Sequence, residues 1–123
     1  MITEDYVSFE TAKLLKEKGF DEDSWFHYDA DGDIVMRGYR LNLPEDIPAW
    51  THQMAMKWLR EVHNLEIYPY HNSPNNRHNS GWWFEIIKYP NSVAEYESGK
   101  DEEFDTYEEA CEGAIRYCLE NLI

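Results

Sequence analysis

Apolar side chains recur at the spacing of an α-helix in three segments of the chain, and polar side chains fill the positions between them. These patterns predict helices at about 9–18, 52–63 and 106–121. Each segment starts at or next to a residue that can cap a helix N-terminus: Ser8, Thr51 and Thr106. Gly19 follows the first segment, where a left-handed residue commonly ends a helix.

The third segment has one apolar side and one charged side. The side predicted to be buried consists of Tyr107, Ala110, Cys111, Ala114, Ile115, Cys118, Leu119 and Leu122. The side predicted to face water consists of Glu108, Glu109, Glu112, Arg116 and Glu120. Seven residues of helix hold the two cysteines about 10.5 Å apart along the axis, too far for a disulfide. Two free core thiols are typical of a reducing cytosol, so we expect a cytoplasmic protein.

Two pairs of shorter segments have the β-branched and aromatic composition of strands. The first pair, 25–28 and 34–39, flanks an Asp-Gly turn and is predicted to be a hairpin. The second pair, 65–68 and 81–89, flanks a polar loop at 71–80. That loop is rich in Asn, Ser and Pro, so we expect it to be exposed.

The remaining segments complete the predicted fold. Two prolines make 43–48 a loop, because proline lacks a donor and restricts the residue before it. A turn or short strand is expected near 94–100. The order helix, hairpin, helix, hairpin, helix predicts an α+β fold, a two-layer sandwich in which three helices cover one antiparallel sheet built from both hairpins. A chain of 123 residues is expected to form a single domain, 1–123.

The chain is acidic, with a net charge of −14 at pH 7, and the charge is unevenly distributed. Between residues 95 and 112 nine acids stand against one base, whereas between residues 51 and 94 three acids stand against four bases. Broad acidity repels phosphate, so we expect no binding to nucleic acid or to an anionic membrane surface. No apolar run exceeds three residues, so we expect no membrane span either.

Two groups of side chains contain candidate metal ligands, but neither group has the spacing that a metal site requires. Asp29, Asp31 and Asp33 resemble the opening of a calcium loop. The match fails because Gly32 is the fourth residue rather than the sixth, and Arg40 occupies the twelfth position, which requires glutamate. The segment is predicted to be an ordinary turn. The other candidates lack the paired spacing of zinc ligands: His52, His63, His71 and His78. We expect no metal and no cofactor.

The sequence also lacks a motif for catalysis. A Ser or Cys nucleophile needs a base within reach and a third group that orients the base, and no such motif or glycine-rich phosphate loop stands out. The chain is therefore predicted not to be an enzyme. Trp82, Trp83 and Phe84 have the aromatic character that stacks on bases. Strand alternation sends one tryptophan to each face, however, and few basic residues accompany them, so this run does not predict nucleic-acid binding.

Two stretches of the sequence are familiar. Residues 51–64 read Thr-His-Gln-Met-Ala-Met-Lys-Trp-Leu-Arg-Glu-Val-His-Asn, and residues 106–112 read Thr-Tyr-Glu-Glu-Ala-Cys-Glu before Ile-Arg-Tyr-Cys-Leu-Glu at 115–120. They resemble a widespread group of small uncharacterised proteins carried by prophages and mobile elements of gut anaerobic bacteria. The similarity covers residues 48–123, although Ala49-Trp50-Thr51 stands where that group often has Ala-Pro-Thr. The resemblance implies a cytoplasmic, phage-type origin and supplies no reaction.

These observations favour a noncatalytic accessory protein of a phage or mobile element that acts through contacts with another protein. The candidate partner-binding residues are Lys57, Arg60 and His63. They are predicted to lie on the side of the helix opposite Trp58 and Leu59, within the one stretch that is not acidic. The alternative for the same residues is a solvated helix face.

A second function remains open from the sequence. The acidic tract at 95–112 is consistent with an inhibitor that mimics DNA and occupies the basic groove of a nucleic-acid-binding protein. Nineteen aromatic side chains in a small domain also leave room for a self-association face, so a homo-oligomer stays open as well.

Overall fold

The computed structural model describes residues 5–39, 42–71, 81–99 and 102–123. Its helices are α1 (Phe9–Glu17), α2 (His52–His63) and α3 (Tyr107–Tyr117), and a π-helical turn (Cys118–Leu122) follows α3. Its strands are β1 (Phe26–Tyr28), β2 (Ile34–Met36), β3 (Ile47–Pro48), β4 (Leu65–His71), β5 (Trp82–Lys88) and β6 (Val93–Glu97). This order confirms the predicted α+β fold with alternating helices and hairpins. None of the described helices has the length and apolar composition that crossing a bilayer requires.

All three helices begin where their capping residues predict. In each case a side-chain hydroxyl accepts a hydrogen bond of 3.1 to 3.2 Å from the backbone amide three residues on: Ser8 from Thr11, Thr51 from Met54, and Thr106 from Glu109. Such a bond satisfies one of the donors that a helix start leaves unpaired. The end of α2 is set by Asn64, whose φ of 60° is left-handed and whose amide donates to the Leu59 carbonyl.

The first sheet has the strand order β2-β1-β3 and contains the predicted hairpin. Asp29 closes the hairpin turn, because its carboxylate accepts hydrogen bonds of 2.9 Å from the backbone amides of Asp31 and Asp33. Gly32 has a φ of 83°, a conformation that glycine adopts without steric cost. The aspartates therefore shape a turn, as the sequence predicts.

Strand β3 corrects the prediction that 43–48 is only a loop. Ile47 pairs with Tyr28 and Pro48 pairs with His27, so these two residues form the edge of the first sheet. An edge strand accepts proline because a strand without an outer neighbour does not need every backbone donor.

The second sheet has the strand order β4-β5-β6, with antiparallel pairing throughout. Helices α2 and α3 pack against one of its faces. The side chains on that face are nearly or fully buried: Leu65, Ile67, Phe84 and Ile86. The two hairpins thus belong to two three-stranded sheets rather than to the single predicted sheet, and β3 and β6 each add a third strand to the hairpin beside them. Strand β6 also confirms the short strand expected near 94–100.

The two cysteines lie in the core, as predicted. Cys111 and Cys118 are fully buried and both are free thiols. Burial raises the pKa of Cys111 to about 11 and that of Cys118 to about 12. Neither thiol therefore ionises near neutral pH, which fits a packing role.

Glu112 corrects the prediction that this residue faces water. Its carboxylate accepts hydrogen bonds from the Ser8 hydroxyl at 2.9 Å, from the Thr11 hydroxyl, and from His52 Nε2 at 2.9 Å. Burial alone would raise the pKa of Glu112, but these hydrogen bonds outweigh burial and hold it below its usual value. The pattern of α3 alone cannot reveal this cluster, because the donors come from the first turns of α1 and α2. We refer to these four residues as the Glu112 cluster.

Candidate functional site

The three predicted partner-binding residues of α2 have different surroundings. Lys57 is exposed and lies beside Trp58 at the rim of a groove. Arg60 is also exposed, and its Nη1 lies 3.6 Å from Glu66 Oε2 on β4. His63 is half-buried, and its ring packs edge-on against Trp58 with the ring centroids 4.7 Å apart. The three side chains therefore do not share one set of neighbours.

His63 departs from the predicted position opposite Trp58. It is the last residue of α2, and side chains on a helix lean toward the helix N-terminus, which carries the imidazole back over the indole. Burial in this contact lowers the pKa of His63, so the neutral ring is favoured.

The groove beside α2 has a volume of about 380 Å³. Its apolar lining consists of Phe20, Met54, Trp58 and Val62, and its charged rim consists of Glu22, Lys57 and Glu61. Phe20 stacks on Trp58 with centroids 5.2 Å apart, which makes the floor aromatic. We refer to this feature as the α2 groove.

A second surface lies on the face of the second sheet that α2 and α3 leave uncovered. Tyr68 and Tyr70 on β4 are 36% and 40% exposed, and they alternate with the buried Leu65 and Ile67. Trp83 on β5 pairs in register with Tyr70, and the two rings stack with centroids 4.6 Å apart. This face therefore carries a row of aromatic rings that is continuous from one strand to the next.

Glutamates stand beside these rings. Glu85 pairs with Tyr68 on one side and with Glu97 on the other, so one row across the sheet reads Tyr68, Glu85, Glu97. Like charges directly opposite each other on neighbouring strands destabilise a sheet. Within the described ranges, no Lys or Arg lies within 4 Å of either carboxylate. We refer to Tyr68, Tyr70, Trp83, Glu85 and Glu97 as the aromatic face.

The aromatic face is held in place by hydrogen bonds and strand pairing rather than by a cover of helices. The phenol oxygens of Tyr68 and Tyr89 lie 2.7 Å apart. This hydrogen bond raises the pKa of Tyr68 to about 12, so the Tyr68 phenol stays protonated at neutral pH. The seven residue pairs between β4 and β5 fix the register of the rings.

The sequence contained a signal for this face that the strand prediction did not use. Glu66, Tyr68 and Tyr70 alternate with Leu65 and Ile67, which is the period of a half-buried strand. The predicted strand ended at residue 68, before Pro69. In the structure β4 is an edge strand and continues through Pro69 to His71.

The run Trp82, Trp83 and Phe84 alternates as predicted. Phe84 is fully buried, and Trp82 contacts Tyr107 of α3 edge-on at 5.4 Å. Trp83 points to the opposite side and belongs to the aromatic face. Both tryptophans are half-buried, so neither one is a fully enclosed core residue.

The candidate metal ligands have other roles or lie elsewhere. Oxygens of Asp29, Asp31 and Asp33 lie within 4.8 Å of one another. They belong to the hairpin turn, in which Asp29 accepts hydrogen bonds from the amides of the other two residues. Two histidines contact tryptophans, His63 with Trp58 and His71 with Trp82. His52 belongs to the Glu112 cluster. His78 lies outside the described residues, as do Arg40 and most of the polar loop.

A comparison of this chain with protein-family models, with curated proteins and with solved structures finds no match in any of the three. The resemblance to proteins of prophages and mobile elements therefore stays a prediction. What the protein can do follows from the chemistry of its surfaces.

Proposed function

We propose that this protein is a noncatalytic binding protein whose aromatic face holds a cationic segment of a partner protein. The observation that carries this proposal is the row in which Tyr68 lies beside Glu85 and Glu85 lies opposite Glu97. A guanidinium or ammonium group placed over this row gains attraction from the carboxylates and from the aromatic rings at once.

The physical chemistry of the row favours arginine over other side chains. A guanidinium stacks on an aromatic ring and donates paired hydrogen bonds to a carboxylate, which an ammonium does less well. It also removes the repulsion between Glu85 and Glu97 that the free protein retains. Each cation contributes only about 0.5 to 1 kcal/mol through an aromatic ring at such an exposed site, so a stable complex needs several cations in one segment.

The size of the aromatic face suits an extended segment of a protein. Strand β4 has seven residues and spans roughly 20 Å, which is the length of about six extended residues of a partner. Phosphate groups would meet Glu85 and Glu97 and be repelled, so a nucleic acid is a poor ligand for this surface.

The second candidate function, an acidic regulator that competes with nucleic acid, keeps a specific observation in its favour. Exposed acids continue from β6 to the start of α3: Glu95, Glu97, Glu102, Asp105 and Glu109. Glu112 belongs to the same tract in sequence. Its carboxylate is hydrogen-bonded within the Glu112 cluster, so it does not add to this acidic surface. The partner is basic in both proposals. Only the acidic regulator, however, requires that DNA compete with this protein for the partner.

The biological setting is part of the proposal. The sequence resemblance supports an accessory role in a prophage or mobile element, and two buried free thiols support a reducing, cytoplasmic setting. A cationic segment of a host or phage protein is then the expected ligand.

The proposal is tested with a labelled ten-residue peptide of alternating Arg and Ser, with fluorescence anisotropy as the readout. We expect saturable binding that weakens as salt rises, and at least tenfold weaker binding for the variant Glu85→Gln/Glu97→Gln. The same peptide with citrulline in place of arginine keeps the shape and loses the charge, so it should not bind.

The matched control is Glu10→Gln/Glu17→Gln, which makes the same change of charge on α1, away from the second sheet. It should bind as the wild type does. Equal losses in both double variants would mean that net charge alone attracts the peptide, and would contradict a site on the aromatic face. Trp83→Ala separates the two candidate functions, since loss of binding is expected for the aromatic face and not for a purely acidic surface.

A further inference from the structure

Val62 is the most exposed apolar side chain of α2, at 59%. The sequence pattern assigns Val62 and Leu59 to the same apolar side of the helix, yet only Leu59 is buried. Val62 lines the α2 groove together with Trp58. Because Val62 continues the apolar lining formed by Phe20, Met54 and Trp58, the exposed apolar surface is contiguous, which is typical of a surface suited to association.

The apolar residues of α2 in this groove are arranged symmetrically along the helix. Met54, Trp58 and Val62 follow one another at intervals of four residues, so they form one row with a rise of about 6 Å between neighbours. A second α2 that runs antiparallel, with a two-fold axis beside Trp58, presents the same row in reverse order. Val62 of each copy then meets Met54 of the other, and the two Trp58 rings meet at the centre.

The charges of the groove follow the same symmetry. Lys57 and Glu61 both line the groove and lie on the same flank of the apolar row. In the antiparallel arrangement, the axial offset between Lys57 of one copy and Glu61 of the other is about 3 Å, which these long side chains span easily. Two identical ion pairs form across the axis in this arrangement, and they outnumber the single Lys57–Lys57 repulsion, whose axial offset is also about 3 Å.

We propose that two copies of this chain associate through their α2 grooves as a two-fold homodimer with antiparallel α2 helices. A second copy is the occupant that the groove specifies, because it supplies Val62, Lys57 and Glu61 at the required positions by symmetry alone. The proposal gives Lys57 a role in self-association, while Arg60 stays paired with Glu66 outside the groove.

The homodimer is independent of the proposed binding of a cationic segment. Helix α2 packs on the covered face of the second sheet, whereas the aromatic face is on the opposite side. Dimerisation therefore leaves both aromatic faces open, and loss of one property does not imply loss of the other.

The test is sedimentation velocity and light scattering on the full chain at concentrations up to about 100 µM. We expect twice the chain mass of 14.7 kDa for the wild type. The variants Lys57→Glu and Glu61→Lys each place like charges across the axis, so each should dimerise at least about tenfold more weakly. An equimolar mixture of the two variants restores both ion pairs and should recover the dimer.

Arg60→Glu is the matched control, since it reverses a charge on the same helix outside the groove, and it should remain dimeric. Far-ultraviolet circular dichroism of each variant checks that α2 still folds. A monomeric wild type would overturn the proposal, as would charge variants that stay dimeric. A mixture that fails to recover the dimer would rule out the antiparallel pairing.

Discussion

The Glu112 cluster leads to the most specific prediction about stability. Replacing Glu112 with alanine removes the acceptor of three side-chain donors: Ser8, Thr11 and His52. Thr11 is fully buried and His52 is 7% exposed, so water cannot easily replace the lost partner at either donor. The variant should therefore lose much more stability than an ordinary surface substitution.

The expected loss follows from the hydrogen bonds. A bond to a charged group contributes about 1.5 to 3 kcal/mol, and the Glu112 side chain is one quarter exposed, which allows water to compensate in part. Thr11 also keeps its contact with the Ser8 hydroxyl at 3.0 Å. Together these considerations give a loss of about 3 kcal/mol, or a Tm lower by roughly 10 °C for a domain of this size.

Urea unfolding at pH 7, followed by circular dichroism, measures this loss. The matched control is Glu120→Ala, which removes an exposed glutamate whose Oε1 lies 2.7 Å from Arg116 Nε. An exposed pair of this kind contributes about 0.5 kcal/mol or less. The reasoning is refuted if Glu112→Ala and Glu120→Ala have the same small effect, because burial and convergence of donors would then contribute nothing.

The Glu112 cluster also fixes the sign of a pH effect. The pKa of Glu112 is lower in the folded chain than its usual 4.5, so the stabilisation is fully present above that usual value. It is lost as the pH falls through the lowered pKa of the folded state. Glu112→Gln has no carboxylate to titrate, so its stability should fall less than that of the wild type between neutral pH and the acid range.

Two further predictions concern the sheet and the thiols. Glu85→Gln/Glu97→Gln should stabilise the chain in urea by about 0.5 kcal/mol, because it removes a like-charge pair across β5 and β6; a loss of stability would contradict the assigned repulsion. In the native protein both cysteines should resist a thiol reagent at pH 8 and react fully in urea, since burial raises the pKa of Cys111 to about 11 and that of Cys118 to about 12; rapid native labelling would place a thiol at the surface.

The helices could be predicted closely from the sequence because their signals are local. A capping hydroxyl and the amide three residues on belong to the same turn, so Thr51 and Asn64 define α2 without any knowledge of the fold. The buried side of α3 follows from periodicity in the same way. Local chemistry is therefore enough for these boundaries.

The features that escaped prediction depend on neighbours that are distant in sequence. Glu112 follows the polar pattern of α3, and only the convergence of α1 and α2 makes it a buried acceptor. Pro48 and Pro69 argue against strands until one knows that both lie on sheet edges. The aromatic face escaped for the same reason, because Tyr70 and Trp83 meet only after β4 pairs with β5.

The residues first singled out on α2 acquire distinct roles when the two surfaces are considered together. Arg60 Nη1 lies 3.6 Å from Glu66 Oε2 on β4, so a base of α2 offsets the charge of this glutamate. Among the described residues no ion pair forms at Glu85 or Glu97, so under the proposed function a cation would be attracted toward β5 and β6 rather than toward β4. His63 holds Trp58 edge-on at the α2 groove, while Lys57 stands at the rim of that groove. If both proposals hold, α2 offsets one charge of the second sheet through Arg60 and supplies the dimer contact through Met54, Trp58 and Val62.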